Sequence, residues 1–359
     1  MDSYVTRFVP PGRSTQQQRH EERVAQMNST VREIKACYEA GAPLFRKGEM
    51  RKLGDVIALL EKGASSECNI LLKGINGVDY PLELKHLRGD DFPGRDRHIG
   101  GSIWNIGYNP IQHLTVFEDI DFFHPSSAFF SMDVTGCIRT LEDSTPTALL
   151  APSTEELLGA YEQRVHQFKE SKDNEVLRAA LQKMRTRHVL DKFVAVALGP
   201  LNLGGQNCDR SLDQHVLVNA IASALISFNI QCSRDAKIHF QDPAYTQLDR
   251  DVLTSYGYTV VDDPQGFLML DDNSILVSIS PDVPVKQIVV DICRPAIIIW
   301  NKENFKDEYT DYSSDYYMTD PSSSRVDKML KEEYHELEFP FHKSYSGLAM
   351  YVKNSIWID

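Results

Sequence analysis

From Lys192 onwards the chain alternates between two hydrophobic rhythms. FVAVALG, AKIHFQDP, YTVVDD, SILVSISP and PAIIIWN are short apolar runs, as strands buried on both faces require. Between them, SLDQHVLVNAIASALISFN, TQLDRDVLTSYG and VPVKQIVVDICR place apolar residues at helical spacing. Strand and helix alternating at crossover length predict an α/β fold, a Rossmann-like, mostly parallel sheet with helices on both faces. A helix over SRVDKMLKEEYHELEF, starting near Ser324, and an edge strand in GLAMYVKNSIWI follow.

The first 150 residues carry a weaker pattern. Residues 1–22 are polar and read as a flexible tail. Val31, Ile34 and Tyr38 stand at helix spacing in VREIKACYEAGAPLF, and MRKLGDVIALLEKG reads as a second helix closing at Gly63. CNILLKGINGVDYPLEL alternates around Asn-Gly, the signal of a strand pair. His86 to Leu150 is rich in Gly, Pro, Asp and aromatics and reads as an irregular cover over part of the core, with strand-like pieces such as HLTVFEDIDFF. STEELLGAYEQRV then opens with a capping box, Ser153 with Glu156. The expected organisation is a tail (1–22), a helical and irregular extension packed on the core (23–150) and a Rossmann-like domain (151–359).

Composition narrows the class. With 359 residues, 42% hydrophobic and 25% charged, the chain can bury a core without staples. No apolar run reaches the roughly 18 to 20 residues of a membrane helix, and the N-terminus lacks the apolar centre of a secretory signal, so a cytoplasmic protein is expected. The six cysteines show no CxxC and no close histidine spacing. Reduced thiols, with no metal, are therefore expected. A net charge of −13 speaks against unspecific binding of nucleic acid, including DNA. FRKGEMRK and KMRTRHVLDK are local basic runs, most simply solvated helix faces.

VAVALGPLNLGG sets an apolar run against a glycine-rich turn. A dinucleotide loop needs G-x-G-x-x-G, but here Pro200 follows Gly199 and the next glycines are Gly204 and Gly205. Proline also removes an N–H donor, and no G-K-[ST] follows. No cofactor is expected. Polar residues nonetheless gather where open α/β sheets place their sites, beyond the carboxyl ends of the strands. Gly199, Asn202, Gln206 and Gln214 belong to the first loop and its helix. Asp242, Pro243, Tyr245 and Asp249 follow the second strand, and Asp262 and Asp263 the third. Ser278, Ser280, Pro281 and Asp282 follow the fourth, with Lys286 and Gln287 opening the next helix and Asn301 ending the last strand. Each alone has a plainer explanation, such as a turn-starting Asp-Pro or a solvated lysine. Together they predict an acidic rim on one sheet edge.

LGPLNLGG, QHVLVNAIASAL, FQDPAY, LDRDVLTSYGYTVV, GFLMLDDNSILVSISPDVP and PAIIIWN resemble the domain named after "sensitivity to red light reduced" over about residues 188 to 359. In that SRR-like family a strand ending in Leu-Gly-Ser precedes a Gln-led helix, an Asp-Pro follows the second strand, and Pro-His-Cys-Pro follows a later one. Here Pro200 replaces the serine, and Asp282-Val283 replace His-Cys. These departures are similar to those of fungal branches. The resemblance implies one of two functions. Plant and animal relatives are associated with light signalling, clock output and transcriptional regulation. Some fungal proteins of this look resemble arginine-containing cyclodipeptide synthases, which join two aminoacyl-tRNAs.

The enzyme reading asks for a carboxylate-lined pocket for an arginyl side chain and a base for the attacking amine. Asp242, Asp249, Asp262 and Asp263 are the acids on offer, with Asp262, Asp263 and Ser280 as catalytic candidates. Gly199, Asn202, Gln214, Tyr245, Lys286, Gln287 and Asn301, with Asp242 and Asp249, are the substrate-binding candidates. Arginyl-tRNA and a second aminoacyl-tRNA would be the partners, contacted by Lys183, Arg185, Arg187 and Lys192. Pro200 cannot serve as the nucleophile that bacterial cyclodipeptide synthases place there; Ser278, Ser280 and Cys208 are the substitutes in sequence. The rival is a non-catalytic regulatory protein with a degenerate site. A small-molecule methyltransferase fits less well, because the first loop lacks close-set glycines.

Overall fold

The computed structural model describes residues 16–62, 67–85, 99–116, 123, 127–140, 152–182, 190–201, 208–228, 232–302, 319–339 and 347–356. Its centre is a seven-stranded sheet. Five strands run parallel: β5 (Leu190–Val196), β6 (Cys232–Gln241), β7 (Thr259–Val260), β8 (Ser274–Val277) and β9 (Ile297–Asn301). Two further strands close one side, β10 (Tyr334–Glu338) and β11 (Leu348–Lys353), in the order β10-β11-β9-β8-β5-β6-β7. β11 is antiparallel to both neighbours. The connections run from β5 outwards to β6 and β7, then back across to β8 and β9. The direction of winding therefore reverses between β5 and β8, opening a crevice beyond their carboxyl ends.

The apolar runs are continuous because alternate side chains serve two cores. Phe193, Ala195, Ile275, Val277, Ile297 and Ile299 point into one. Helices α4 (Thr154–Lys169), α5 (Lys172–Gln182), α6 (Cys208–Ser227) and α7 (Gln247–Ser255) cover it. Val194, Val196, Leu276, Ile298 and Trp300 point into the other, with α8 (Gln265–Met269), α9 (Val285–Ile292) and α10 (Ser324–Glu333).

The second core is completed by the N-terminal extension. This comprises α1 (Gln16–Glu39), α2 (Lys47–Glu61), the antiparallel pair β1 (Glu67–Lys73) and β2 (Asp79–Lys85), β3 (Ile99–Tyr108), α3 (Ile111–Thr115) and β4 (Met132–Thr140). Phe45, Met50, Leu53, Trp104, Ile106 and Tyr108 lie in the same cluster as the sheet residues. Asp291 at the end of α9 is the polar fastening. It accepts the backbone N–H groups of Leu44 (2.6 Å) and Phe45 (3.1 Å) and pairs with Arg325 of α10 at 3.2 Å. The Arg325 guanidinium also lies over the Tyr38 ring, 3.7 Å from its centroid, and donates to the Tyr38 and Ala42 carbonyls.

Several sequence expectations shift. Helix α1 begins at Gln16, inside the segment read as a tail; its first turns are polar and carry no periodicity to announce them. Part of the segment read as irregular is the antiparallel pair β3–β4, with α3 between the two strands in sequence. IGGSIWNIGY hides its strand because glycines interrupt the alternation of Trp104, Ile106 and Tyr108. HLT belongs to α3 rather than to a strand. In the tail, α10 stops at Glu333 and YHELE forms β10, which makes β10 the edge and β11 an inner strand. The exposed His335 and Glu336 suit an edge, where charge discourages pairing with another chain. Among the described residues no helix is long and apolar enough to cross a membrane.

Because Asp291 holds two backbone donors and a largely buried arginine, Asp291→Ala leaves both N–H groups without their acceptor and Arg325 without its counter-charge. A loss of about 3 kcal/mol is expected in urea unfolding, the scale for breaking one side of a buried ion pair.

Candidate functional site

At the carboxyl edge of the sheet lies a cavity of about 520 Å³. Its floor is the loop after β5. Val196 ends the strand, and Ala197 (φ 55°) and Gly199 (φ 75°) then turn the chain through the left-handed region. Opposite stands the loop after β8, where Ser280 also has a positive φ, 50°. An alanine and a serine held in that region facing one cavity are unusual for L-residues, which adopt it only when the surroundings impose it.

The glycine turn is held by the protein's own acids. Asp242, at the end of β6, accepts the Gly199 N–H at 2.6 Å through Oδ2 and the Ala244 N–H at 2.8 Å through Oδ1. Asp249 accepts the Leu201 N–H at 2.8 Å while capping α7 through Thr246. Two backbone donors that a phosphate cradle would offer are thus taken by carboxylates, and a phosphate there would meet negative charge. Burial holds the Asp242 carboxyl above its ordinary pKa, opposed by the two N–H donors, while Asp282 and Asp249 add to the rise.

Asp263, beyond β7, is the most perturbed acid of the cavity. Its Oδ1 accepts Tyr108 Oη–H and Gln241 Nε2–H, each at 2.8 Å. Desolvation raises its pKa from the ordinary 3.8 to about 7, with Asp242 adding to the rise and the two hydrogen bonds opposing it. At neutral pH the group is divided between acid and carboxylate, which suits general acid–base work.

Of the expected site residues, Gly199, Gln214, Asp242, Asp263 and Ser280 line this cavity. Gln214 is 4% exposed, and its carboxamide makes no protein hydrogen bond among the described residues. Ser280 Oγ accepts from Arg210 Nη2 at 2.9 Å, and its N–H donates to Asn301 Oδ1 at 2.5 Å, so Asn301 acts from behind the loop. Asp262 turns outwards, 79% exposed and paired with Arg250 at 2.7 Å; adjacent in sequence, it does not share the cavity with Asp263. Asp249 is buried in its cap, and Tyr245 Oη pairs with His215 Nε2 at 2.7 Å behind the wall. Ser278 is also buried, its Oγ donating to Val196 O.

Lys286 and Gln287 are buried for a different purpose. Lys286 bonds to Asp320, and Gln287 bonds to the Ile111 N–H, the Gln112 side chain and the Pro321 carbonyl, clasping α9 to α3 and the C-terminal segment. Lys192 sits near the amino end of β5, at the opposite edge from the cavity, and is paired with Asp271 (2.5 Å) and Asp191 (3.4 Å). Asn202, Lys183, Arg185 and Arg187 lie outside the described residues, and Cys208 is the first residue of α6.

The sequence reading missed Tyr108, Ile106, Gln241, Arg210 and Phe267, all on the cavity wall. Gln241 could have been found from its place beside Asp-Pro. Tyr108 could not, since it comes from a glycine-broken strand more than 80 residues before β5. His215 was missed as well. Its Nδ1 faces the Ser211 carbonyl at 2.8 Å and must carry the hydrogen, so Nε2 accepts from Tyr245, and burial lowers its pKa to about 4.

An acid whose pKa is raised by folding stabilises the fold below the unfolded value and loses that contribution as pH rises through the folded one. Stability should therefore fall from about pH 4 to about pH 7 through Asp263. Asp263→Asn should remove this decline and unfold at a higher temperature than wild type at pH 8, measured by circular dichroism.

Comparison with known proteins places this architecture. The sequence model of the SRR1 domain matches residues 177–352, from within α5 to β11. No curated protein matches the chain. A crystal structure of a protein from Corynebacterium glutamicum is 10% identical and covers 59% of this chain and 93% of its own, with a TM-score of 0.29. That score is too low for the likeness to carry weight. The strands β5 to β11 thus fall in the segment that is similar to the SRR1 domain, whereas Ile106 and Tyr108 of the cavity wall lie outside it.

Proposed function

We propose that the protein is an enzyme acting on a cationic, amine-bearing substrate, and specifically that it condenses arginine with a second amino acid, both delivered on tRNA, into a cyclic dipeptide. The single observation that carries the reading is Asp263, a buried acid balanced near neutrality on the wall of a cavity. Asp242 and Asp282 line the same cavity, so a guanidinium or ammonium entering it meets carboxylates on more than one side.

In this reaction the amine of one aminoacyl group attacks the ester carbonyl of the other. A C–N bond forms and the ester C–O bond breaks. Asp263 takes the amine proton and returns it to the departing tRNA oxygen. The same exchange, repeated within the dipeptidyl ester, closes the ring. Direct attack fits this site better than an acyl-enzyme. Ser278 is buried, and Ser280 Oγ is held by Arg210 with no base bonded to it among the described residues. Among the described residues Arg210 is the cation that lines the cavity, whereas Lys192 is remote and neutralised.

A second reading, a non-catalytic regulatory protein whose cavity senses a small ligand, is favoured by one observation. Asp242 and Asp249 spend their carboxylates on the protein's own backbone, as a purely structural site would. Expression in a bacterial host with confirmed arginyl-tRNA charging separates the two. The medium should contain an arginine cyclic dipeptide by mass spectrometry, and Asp263→Asn should lower its yield at least about 100-fold, the lower range for a lost acid–base group, while leaving the circular dichroism spectrum intact. A wild-type culture without product supports the regulatory reading.

The cationic class of ligand has its own measurement. Arginine amide should bind the purified protein with proton release near pH 6.5, because the cation favours ionised Asp263. Calorimetry in buffers of different ionisation enthalpy reads that release.

A further inference from the structure

We infer that Tyr108, from the N-terminal extension and outside the SRR1 domain match, is the positioning residue that presents Oδ2 of Asp263 as the reacting oxygen of the cavity. The inference rests on the acid–base reading of Asp263, but not on the particular reaction proposed for it.

The geometry is specific. Both hydrogen bonds to Asp263, from Tyr108 Oη and Gln241 Nε2, end on Oδ1. Oδ2 has no donor among the described residues, and the side chain lines the cavity. With two donors on Oδ1, the proton of the neutral acid resides on Oδ2, where a ligand can exchange it. The Gln241 amide cannot be reversed, because its Oε1 accepts the Gly266 N–H at 2.5 Å. Gly266 has no room for a side chain: a Cβ there would lie 2.8 Å from Gln241 Oε1. Tyr108 is equally fixed. Its ring lies against Phe45 and Phe267, with centroids at 6.1 and 5.7 Å. The strand that carries it is anchored three residues later by the Ile111 N–H bond to Gln287. Burial, and then the neighbouring Asp263, hold the phenol well above its ordinary pKa, so it remains a donor across the working range.

The extension also braces the turn from its other side. Gly54 of α2 sits so close to Pro264 that a Cβ would lie 2.7 Å from the proline Cδ. The titratable and charged groups around Asp263 are Tyr108 on β3, Asp242 after β6, and Asp282 and Arg210 on the cavity wall. Outside the cavity stand Asp262 with Arg250, and Glu61 of α2, whose carboxyl burial and Asp262 hold above its ordinary pKa. Of these, only Tyr108 donates to the Asp263 carboxyl.

The test is a titration of Asp263 in the full chain by carbon-13 NMR, its carboxyl signal assigned by loss in Asp263→Asn. Tyr108→Phe keeps the ring and removes the donor. The midpoint should rise by about one pH unit, the size expected for one lost charge-assisted hydrogen bond. A purely structural tyrosine would leave it in place. Should Tyr108→Phe fail to fold, protein containing 3,5-difluorotyrosine provides the opposite arm. The more acidic phenol donates more strongly, and the midpoint should fall. Where turnover is measurable, Tyr108→Phe should lower kcat about tenfold at pH 6.5, with little change in KM and recovery at higher pH. A midpoint that moves with neither change overturns the inference. A shifted midpoint in a protein that makes no cyclic dipeptide would overturn the proposed reaction and leave the role of Tyr108 standing; product with an unmoved midpoint would do the reverse.

Discussion

A parallel sheet exposes two apolar faces and must have both covered. Here α4 to α7 cover one face, while α8, α9 and α10 share the other with a long N-terminal extension. That shared cover governs the rest of the molecule. It requires Val194, Val196, Ile298 and Trp300 to face the extension, and it lays β3 across the carboxyl edge of the sheet. Polar contacts from several elements hold the arrangement. Asp291 fastens the α1–α2 connection, and Gln287 fastens the end of β3.

The chemistry of the cavity follows from how its acids are used. Carboxylates at a strand end can face a cavity, hold backbone or pair with surface cations, and this edge contains all three cases. Asp249 holds backbone and the Thr246 hydroxyl away from the cavity, Asp242 holds backbone while lining it, and Asp262 pairs outwards with Arg250. Asp263 alone among these four is held by side-chain donors on a single oxygen and shifted to about 7. The density of acids in the sequence therefore overstates the negative charge available to a substrate.

The Rossmann-like core was legible because its strands are unbroken apolar runs and its helices have a clear 3.6-residue period. The rim was legible as a place, since strand ends of an open parallel sheet converge there whatever their side chains. Which way each side chain turns was not. Asp262 and Asp263 are neighbours with opposite fates, decided by Arg250 outside and Tyr108 inside. Buried Lys286 and Gln287 read as functional in sequence, yet their partners, Asp320, Gln112, Ile111 and Pro321, are brought to them only by folding. The β3 strand escaped because its glycines break the alternation, and α1 because a polar helix has no stripe to reveal it.

The closeness of Gly54 to Pro264 and of Gly266 to Gln241 has a consequence for how such a chain can vary. Neither glycine can gain even a methyl group unless its partner yields, and one of the two contacts joins a segment outside the SRR1 match to a turn within it. Drift in the two parts is thereby coupled. A chain that exchanged its leading region for an unrelated one would keep the sheet and its crevice, yet forfeit the phenol. It would have to recruit a new donor from whatever took the vacated place.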